Sequence, residues 1–169
     1  FIPVVVHGGG KRINNKLDEL GIKSEFINGL RVTDKETIQV VERVLIEFNQ
    51  EIVKALKNQA CNSETVNSKN NNIISVIKDK NELGFVGTPT KIDVNIIDKI
   101  VSDKKVPVIA PLGLDEKNQT YNINADTAAG SIAKKIKARR LIIISDVEGV
   151  LDNNQKLIPE INSYSIDWT

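Results

Sequence analysis

The sequence has very few of the residues that mark small specialised proteins. Among 169 residues there is one cysteine, one histidine and no methionine, and aromatic residues make up only 4%. The single cysteine, Cys61, cannot form an internal disulfide bond or a cysteine metal cluster, which excludes disulfide-rich scaffolds and zinc-cysteine modules. An apolar core must therefore hold the fold together, and the 40% hydrophobic residues suffice for one.

The sequence also has no excess of charge of one sign and no long apolar run. Lys and Arg number 23 against 22 for Asp and Glu, so the formal net charge is +1. Such a chain has no basic surface of the kind that binds nucleic acid or acidic membranes. No apolar segment reaches the roughly 18 residues that a transmembrane helix needs. We therefore expect that the protein binds neither nucleic acid nor membranes. We expect it to be located in the cytoplasm, or in a plastid if it comes from an alga or plant-like organism.

Short β-branched runs alternate with longer amphipathic segments along the chain. This order is typical of an α/β domain with a mainly parallel sheet covered by helices. The predicted strands are 3–6, 73–77, 107–110 and 141–145, of which the last has the strongest pattern. The segment 58–72 is rich in Asn, Ser and Lys, and is predicted to be an exposed excursion.

Four amphipathic helices are predicted between these strands. The longest has a capping box, Thr33 with Glu36, followed by apolar residues on one face, and should run for about 20 residues. The others are a short helix ending at the left-handed cap Gly21, a helix beginning near Asp93 and a helix following Asp126.

The first chemical signal is His7-Gly8-Gly9-Gly10, between a predicted strand and a predicted helix. Adjacent glycines let backbone N–H groups approach an anion closely, and the positive end of the helix dipole adds to the attraction. The motif predicts a phosphate or carboxylate cradle, although a tight turn without a ligand has the same composition. It has neither the ending of a Walker loop nor the glycine spacing of dinucleotide-binding proteins. His7 is expected to pack or cap rather than to catalyse.

The second signal is Gly29-Leu30-Arg31-Val32-Thr33-Asp34, which places an arginine just ahead of the long helix. A guanidinium group can hold a substrate carboxylate through two parallel hydrogen bonds. The motif predicts a carboxylate-binding arginine, and the alternative is a solvated surface arginine.

The third signal is Tyr121-Asn122-Ile123-Asn124-Ala125-Asp126, which carries three short polar side chains at alternate positions. Alternate side chains of an extended segment point to the same face, so Asn122, Asn124 and Asp126 are predicted to form one polar cluster. The alternative is a plain helix cap at Asp126 beside a polar edge strand.

The fourth signal is the segment from Ser145 to Asp152, which follows the strongest predicted strand. Ligands of open α/β sheets bind at the carboxyl ends of the strands. The segment is therefore predicted to be a ligand loop, with an ordinary turn as the alternative.

In this combination and order, the four motifs resemble those of the acetylglutamate kinases of the amino-acid kinase family. Further matching segments are Leu83-Gly84-Phe85-Val86-Gly87 and 106–113, so the resemblance spans nearly the whole chain. It implies a three-layer α/β/α sandwich with a mainly parallel central sheet, the amino-acid kinase fold. It also implies transfer of the γ-phosphoryl group of ATP, bound with Mg²⁺, to the side-chain carboxylate of N-acetyl-L-glutamate in arginine biosynthesis.

The resemblance implies a role for each matched residue. Gly8, Gly9 and Gly10 would form the phosphate cradle, and Gly9 and Gly10 would also contact the substrate. Arg31 would bind the substrate's α-carboxylate. The acetamido end would contact Asn122, with Asn124 also at the substrate.

The resemblance also assigns residues to the ATP side of the reaction. Asp126 would orient catalytic lysines that lie outside this chain. The nucleotide would contact the loop residues Asp146, Val147, Glu148, Gly149, Val150 and Leu151. No metal-ligating residue of the protein is implied.

Two lysines of the family pattern are not found in this sequence. One belongs to a Lys-Gly-Gly strand that would precede Phe1, and the other to a Gly-Met-x-x-Lys segment that would follow Thr169. We therefore expect residues 1–169 to be a single, incomplete amino-acid kinase domain that is inactive alone. One alternative is a related kinase whose acceptor is aspartate, glutamate or carbamate. The other is a remnant that binds its ligand without catalysis.

The resemblance further implies a homodimer or higher homo-oligomer and, as in plastid and cyanobacterial relatives, docking of a PII-type signalling protein. The sequence departs from the family at Ala60-Cys61 and at 67–72, where glycines are common in the family. The departure predicts a relaxed β-hairpin at that place.

Overall fold

The computed structural model describes residues 2–80, 82–145, 148–152, 154 and 156–161. In chain order its elements are β1 (Val5–Val6), α1 (Gly10–Glu19), β2 (Phe26–Ile27), β3 (Leu30–Arg31), α2 (Lys35–Asn58), β4 (Ser63–Val66), β5 (Ile74–Lys78), β6 (Gly87–Ile92), α3 (Val94–Ser102), β7 (Val106–Ile109), β8 (Leu112–Leu114), β9 (Thr120–Asn122) and α4 (Ala125–Lys135). Among the helices of these described ranges, none has both the length and the apolar composition that a bilayer crossing requires.

The central sheet is parallel and has β7 in its middle, between β1 and β4. Val108 of β7 pairs with Val5 on one side and with Thr65 on the other. Both predicted strands of this sheet, 3–6 and 107–110, are thereby confirmed, with bounds that differ by one or two residues.

Helices cover both faces of this sheet. Val106 and Val108 of β7 pack with Val53 of α2 in one apolar cluster, whereas Ile109 packs with residues of α3 and α4 in another. Successive side chains of a strand point to opposite faces, so α2 lies on one side of the sheet, and α3 and α4 lie on the other. Helix α1 packs against α2, since Ile13 joins residues of α2 in a third cluster. The chain thus has the predicted α/β/α layers.

A second, mixed sheet has the strand order β6-β5-β8-β9. Its strand β5 confirms the predicted strand 73–77, but β5 pairs antiparallel with β6 and does not belong to the central sheet. The Val76 side chain packs directly against Gly113, where a Cβ atom would lie only 2.5 Å from Cγ1 of Val76. The prediction of a single sheet was therefore incomplete.

The segment 58–72 was predicted to be exposed, and this prediction is wrong for its middle part, Ser63–Val66. Strand β4 is part of the central sheet, and Ser63 and Val66 are each only 1% exposed. The polar side chains of this strand have internal partners: the Ser63 hydroxyl donates to the carbonyl of Val53, and the Thr65 hydroxyl donates to the Asn49 side chain. Polar composition did not mean exposure, because hydrogen bonds satisfy these groups inside the protein.

The predicted relaxed hairpin at 67–72 is also wrong, since β4 and β5 belong to different sheets. The side-chain oxygen of Asn67 accepts hydrogen bonds from the N–H groups of Lys69 and Asn70, which closes a tight turn. Ala60 and Asn71 both have φ of +56°, although neither is glycine. The turns therefore keep a left-handed backbone, which costs an L-residue about 1–2 kcal/mol.

The caps of two helices differ from the prediction by one or two residues. Asp34, not Thr33, caps α2, and its carboxylate accepts from the N–H of Thr37 at 2.7 Å. This hydrogen bond lowers the pKa of Asp34. Asn124, not Asp126, caps α4. The cap at Asp93 and the left-handed Gly21 are confirmed.

The predicted strand 141–145 is absent from the described structure. These residues lie outside any strand, and Ile142 and Ile144 are 77% and 95% exposed. A strand forms only by pairing with a neighbour, and no described segment pairs with this one. A strong pattern of β-branched residues was therefore not sufficient to predict a strand at 141–145.

The buried side chain of Asn49 joins α2 to the central sheet. Asn49 is 0% exposed, and its Nδ2 lies 2.9 Å from the carbonyl oxygen of Val108 and 3.1 Å from Nε2 of His7. Its Oδ1 accepts the hydrogen bond from the Thr65 hydroxyl. One amide thus contacts all three strands of the sheet or the residues that follow them.

We predict that Asn49→Ala lowers the free energy of unfolding by about 3 kcal/mol, because it opens a cavity and removes a hydrogen-bond partner from the Val108 carbonyl, from Nε2 of His7 and from the Thr65 hydroxyl. Gln50→Ala, an exposed change on the same helix, is the control and should cost less than about 0.5 kcal/mol. Urea unfolding measures both. Equal midpoints for the two variants would contradict the role of Asn49.

A second prediction concerns Gly84, which has a φ of +76° and pairs with Thr33. A Cβ atom there would lie 2.2 Å from the carbonyl oxygen of Thr33. Gly84→Ala should cost at least about 2 kcal/mol, since both the backbone and its neighbour must shift. Gly130→Ala, in the open interior of α4, should instead stabilise by about 0.5–1 kcal/mol. If thermal unfolding showed that both variants shift the melting temperature in the same direction, the prediction would be wrong.

Candidate active site

A pocket of about 190 Å³ opens where α1, α4 and the β2–β3 hairpin meet. Its walls are formed by Gly8, Gly9, Gly10, Ile13, Phe26, Gly29, Leu30, Arg31, Leu45, Val86, Pro111, Asn122, Ile123, Asn124 and Ala125. Three of the four sequence motifs therefore contribute residues to one cavity, although they are far apart in the chain.

Gly8, Gly9 and Gly10, which we call the glycine loop, line this pocket with their backbone. Helix α1 begins at Gly10, its N-cap Gly9 has no side chain to close the helix end, and its first turn carries no acidic residue. The carbonyl of Gly9 accepts from the N–H of Ile13, whereas the N–H groups of Gly9 and Gly10 have no acceptor among the described residues. Such a helix end attracts an anion through both its free N–H groups and its dipole.

The N-terminus of α4 lies beside the same loop. Ala125, the first residue of α4, lines the pocket, and a Cβ atom on Gly8 would lie 3.8 Å from the Cβ of Ala125. Two helix N-termini therefore converge on the cavity. Their positive ends reinforce each other at the place where an anionic ligand would bind.

Gly9 is packed tightly against α2. A Cβ atom at this position would lie 2.6 Å from Cδ2 of Leu45, a side chain that is only 1% exposed. Any larger residue at position 9 would push the loop away from α2. This contact explains why the loop requires glycine there even though its φ of −174° is accessible to any residue.

Arg31 is a buried cation whose partners are all neutral. The residue is 6% exposed, so the solvated alternative is wrong. Its guanidinium group donates to the hydroxyl of Ser24, to Oδ1 of Asn14 at 2.7 Å and to the carbonyl of Gly10 at 3.4 Å. It also lies 4.6 Å from the ring centre of Phe26, the residue opposite it in the hairpin.

No carboxylate of the described residues forms an ion pair with Arg31. Burial therefore lowers the pKa of its guanidinium group. A buried charge is costly unless it is paired. The pocket thus contains a positive charge that an anionic ligand would neutralise.

The third motif is divided between the pocket and the surface. Asn122 and Asn124 line the cavity; the Asn122 amide donates to the Thr33 hydroxyl at 3.4 Å, and Asn124 caps α4. Asp126 lies in the first turn of α4, is exposed and does not line the pocket. The prediction that all three share one polar face is wrong for Asp126, because the helix begins at Ala125 and ends the alternation.

The fourth motif does not reach this pocket in the described structure. Asp146 and Val147 lie outside the described residues. The remaining predicted nucleotide contacts, Glu148, Gly149, Val150 and Leu151, are exposed and do not line the cavity.

Sequence reasoning missed the β2–β3 hairpin and the residues that hold Arg31. Asn28 and Gly29 both have positive φ, as a two-residue loop of type I′ requires, and an Asn-Gly pair is a known signal for it. Asn14 lies four residues after Gly10 on α1, so helical periodicity places it on the pocket side. No local signal marks Ser24.

The comparisons with known proteins agree with one another. The chain matches the model of the "Amino acid kinase family" over residues 2–167. The acetylglutamate kinase of Pelagibacter ubique (strain HTCC1062) is 66% identical over 163 residues, which are 96% of this chain and 57% of that protein. The acetylglutamate kinase of Campylobacter fetus subsp. fetus is 45% identical over 97% of this chain and 59% of its own length. The chain therefore spans less than two thirds of these curated relatives.

Solved structures support the same fold. The smu.665 protein of Streptococcus mutans UA159 superposes with a TM-score of 0.83 at 32% identity, over 89% of this chain and 62% of its own. An N-acetylglutamate synthase from Neisseria gonorrhoeae, complexed with coenzyme A and N-acetyl-glutamate, gives a TM-score of 0.78 at 19% identity, over 93% of this chain and 37% of its own. At that identity the second match supports the fold alone.

The contact between Gly9 and Leu45 yields a third prediction. Gly9→Ala should lower the free energy of unfolding by about 1–3 kcal/mol, because the new methyl group has no space. In a Leu45→Ala background the same change should cost at least about 1 kcal/mol less, since the obstructing methyl is gone. Gly10→Ala is the control, because a Cβ atom there meets nothing within 4 Å. Equal costs of Gly9→Ala in both backgrounds, measured by urea unfolding, would show that the two residues do not touch.

Proposed function

The chain belongs to the amino acid kinase family, and on that premise we propose that it is the acceptor-binding portion of an acetylglutamate kinase. In this proposal the complete enzyme transfers the γ-phosphoryl group of ATP to the side-chain carboxylate of N-acetyl-L-glutamate. The observation that carries the proposal is that Arg31 is buried and has no carboxylate partner among the described residues. It lines the same small pocket as the glycine loop.

Arg31 would bind the α-carboxylate of the acceptor. A guanidinium group has five N–H donors, and the three hydrogen bonds to Ser24, Asn14 and Gly10 leave two for a ligand. Those three contacts also fix the orientation of the group before the ligand arrives. A preorganised cation in a partly water-excluded pocket binds a carboxylate more strongly than a surface arginine would.

The size and the walls of the pocket suit an acylated amino acid. Its volume of about 190 Å³ is below the roughly 300–1,000 Å³ of pockets for drug-sized ligands, so a whole nucleotide would not fit. Ile13, Leu45 and Ile123 supply an apolar surface for methylene and methyl groups. Asn122 and Asn124 supply amide groups for the acetamido end. ATP would therefore bind outside the pocket, with 146–151 as the proposed contact.

The glycine loop would act on the phosphoryl group during transfer. Phosphoryl transfer needs little covalent chemistry from the protein, so the rate depends on alignment and on stabilising the charge of the transferred oxygens. The N–H groups of Gly9 and Gly10, which have no acceptor among the described residues, would perform this task with two helix dipoles behind them. Asp126, exposed at the start of α4, would orient lysines of the complete enzyme.

Mg²⁺ enters the proposal with the ATP phosphates. Within the described ranges no group of three or more His, Cys, Asp or Glu side chains is placed to hold a cation. The described residues thus do not form a protein cage for the ion.

From the resemblance we also propose that the protein forms a homodimer or a higher homo-oligomer. We place it in the cytoplasm, or in a plastid if the organism has one. We further propose that a PII-type protein docks onto it. Light scattering of the purified protein tests the oligomer. A pull-down with a purified PII protein tests the partner.

The activity is tested by coupled ADP release from MgATP with the complete gene product that contains this sequence. N-acetylglutamate, glutamate, aspartate and carbamate are offered separately. We expect ADP release that saturates with N-acetylglutamate and at least a hundredfold lower kcat/KM with the others. Preference for another acceptor, or binding of N-acetylglutamate without ADP release, would contradict the proposal.

The role of Arg31 gives a fourth prediction. Arg31→Lys should weaken acceptor binding by about 1.5–3 kcal/mol, a 10- to 150-fold rise in its KM, because the point charge of lysine cannot replace the fixed, planar set of guanidinium donors. The KM of ATP should change much less. The control is Arg12→Lys, an exposed arginine of α1 that pairs with Glu51. An unchanged acceptor KM in Arg31→Lys would remove Arg31 from the binding site.

A further inference from the structure

His7 lies at the junction of β1 and the glycine loop, and the proposed reaction gives it no role. The residue is 7% exposed and does not line the pocket. Its ring packs edge-on against Phe48 of α2, with 5.2 Å between ring centroids. His7 therefore cannot contact a ligand in the pocket, although it is the direct neighbour of the loop that would.

Two hydrogen bonds define which ring nitrogen of His7 carries the proton. Nδ1 lies 2.8 Å from the carbonyl oxygen of Gly8, which can only accept, so Nδ1 carries the hydrogen. Nε2 lies 3.1 Å from Nδ2 of Asn49. The Asn49 amide is oriented by its other partners, since the Val108 carbonyl must face Nδ2 and the Thr65 hydroxyl donates to Oδ1. Nε2 is therefore an acceptor, and His7 is neutral.

The environment of His7 favours this neutral form. Burial lowers the pKa of the imidazole, and the hydrogen bond to Gly8 only partly opposes that effect. At neutral pH the ring thus donates from Nδ1 and accepts at Nε2, which is the arrangement that both neighbours require.

The hydrogen bond to Gly8 anchors a loop that has no side chains of its own. The three glycine carbonyls are each held by a protein donor: Gly8 by His7, Gly9 by Ile13 and Gly10 by Arg31. Of these donors, only His7 connects the loop to the centre of the sheet, through Asn49. Without it the peptide between Gly8 and Gly9 could rotate, and the Gly9 N–H group would turn with it.

We propose that His7 is a positioning residue for phosphoryl transfer: its Nδ1–H group holds the Gly8 carbonyl so that the N–H group of Gly9, which belongs to the same peptide unit, stays directed at the transferring phosphoryl group. The inference rests on the proposed function of the pocket. Donors that act on the transition state affect kcat, whereas Arg31 binds the acceptor in the ground state as well. Loss of the anchor should therefore lower kcat and leave the acceptor KM nearly unchanged.

Two variants separate the two hydrogen bonds of His7. In His7→Asn the side-chain N–H group can replace Nδ1 and still donate to Gly8, but the contact with Asn49 is lost. In His7→Gln the longer amide can reach Asn49, but the donor to Gly8 is lost. Both remove the ring from its contact with Phe48, so both should destabilise the protein by similar amounts.

The test measures kcat, acceptor KM and the urea midpoint for the complete gene product and both variants. We expect His7→Gln to lower kcat at least tenfold, with the acceptor KM within threefold of the parent value. His7→Asn should keep kcat within threefold despite a similar loss of stability. If the two variants lose kcat equally, or if His7→Gln keeps it, His7 is only structural and the inference is overturned.

A second measurement does not depend on turnover. Nitrogen NMR of the His7 ring should show a neutral imidazole protonated at Nδ1, and His7→Gln should shift the backbone amides of Gly9 and Gly10 more than His7→Asn does. A ring protonated at Nε2 would overturn the inference even in an inactive protein. Absence of acetylglutamate-dependent ADP release by the parent protein would instead count against the proposed function.

Discussion

The position of the glycine loop depends on one buried amide in α2. Asn49 has no exposure, and it binds Val108, Thr65 and His7 at once, which sets the distance between the long helix and the central sheet. The loop follows directly from β1 and packs on Leu45 of the same helix. A shift of α2 would therefore move the glycine loop, and the proposed phosphoryl transfer would require a precisely placed loop. Glu42, about two turns before Asn49 on α2, makes a similar connection, since it accepts hydrogen bonds from the hydroxyls of Ser68 and Thr120.

The pocket combines features that oppose folding in the absence of a ligand. A buried guanidinium group without a carboxylate, two converging positive helix ends and a glycine loop without side chains each cost stability, and the three apolar clusters must offset that cost. An anionic ligand would satisfy the charge and the free N–H groups together. Its binding energy would then add to the stability of the folded state in proportion to its concentration. The charge of Arg31, which is held by neutral groups among the described residues, would thus remain available to the ligand.

Local signals in the sequence were sufficient for the features that depend on neighbouring residues. The glycines after β1, the arginine before α2, the cap at Asp93 and the left-handed Gly21 all follow from conformational or capping preferences within a few residues. Features that depend on distant partners were not predictable. Strand β4 has polar residues because Asn49, far away in the chain, satisfies Thr65, and the apolar segment 141–145 is not a strand because no described segment pairs with it. The burial of Arg31 likewise depends on the hairpin partner Phe26 and on Asn14.

We propose that the cavity between the N-termini of α1 and α4 binds N-acetylglutamate through Arg31, with the glycine loop lying beside the bound acceptor. Titration of the ¹⁵N-labelled protein with N-acetylglutamate tests it directly, because each backbone amide reports on its own surroundings. We expect saturable shifts that are largest for Gly9, Gly10, Arg31 and Asn122, with little change around Lys35 and Gln119 in the neighbouring groove. Shifts centred on that groove, or no saturable shifts at all, would contradict it.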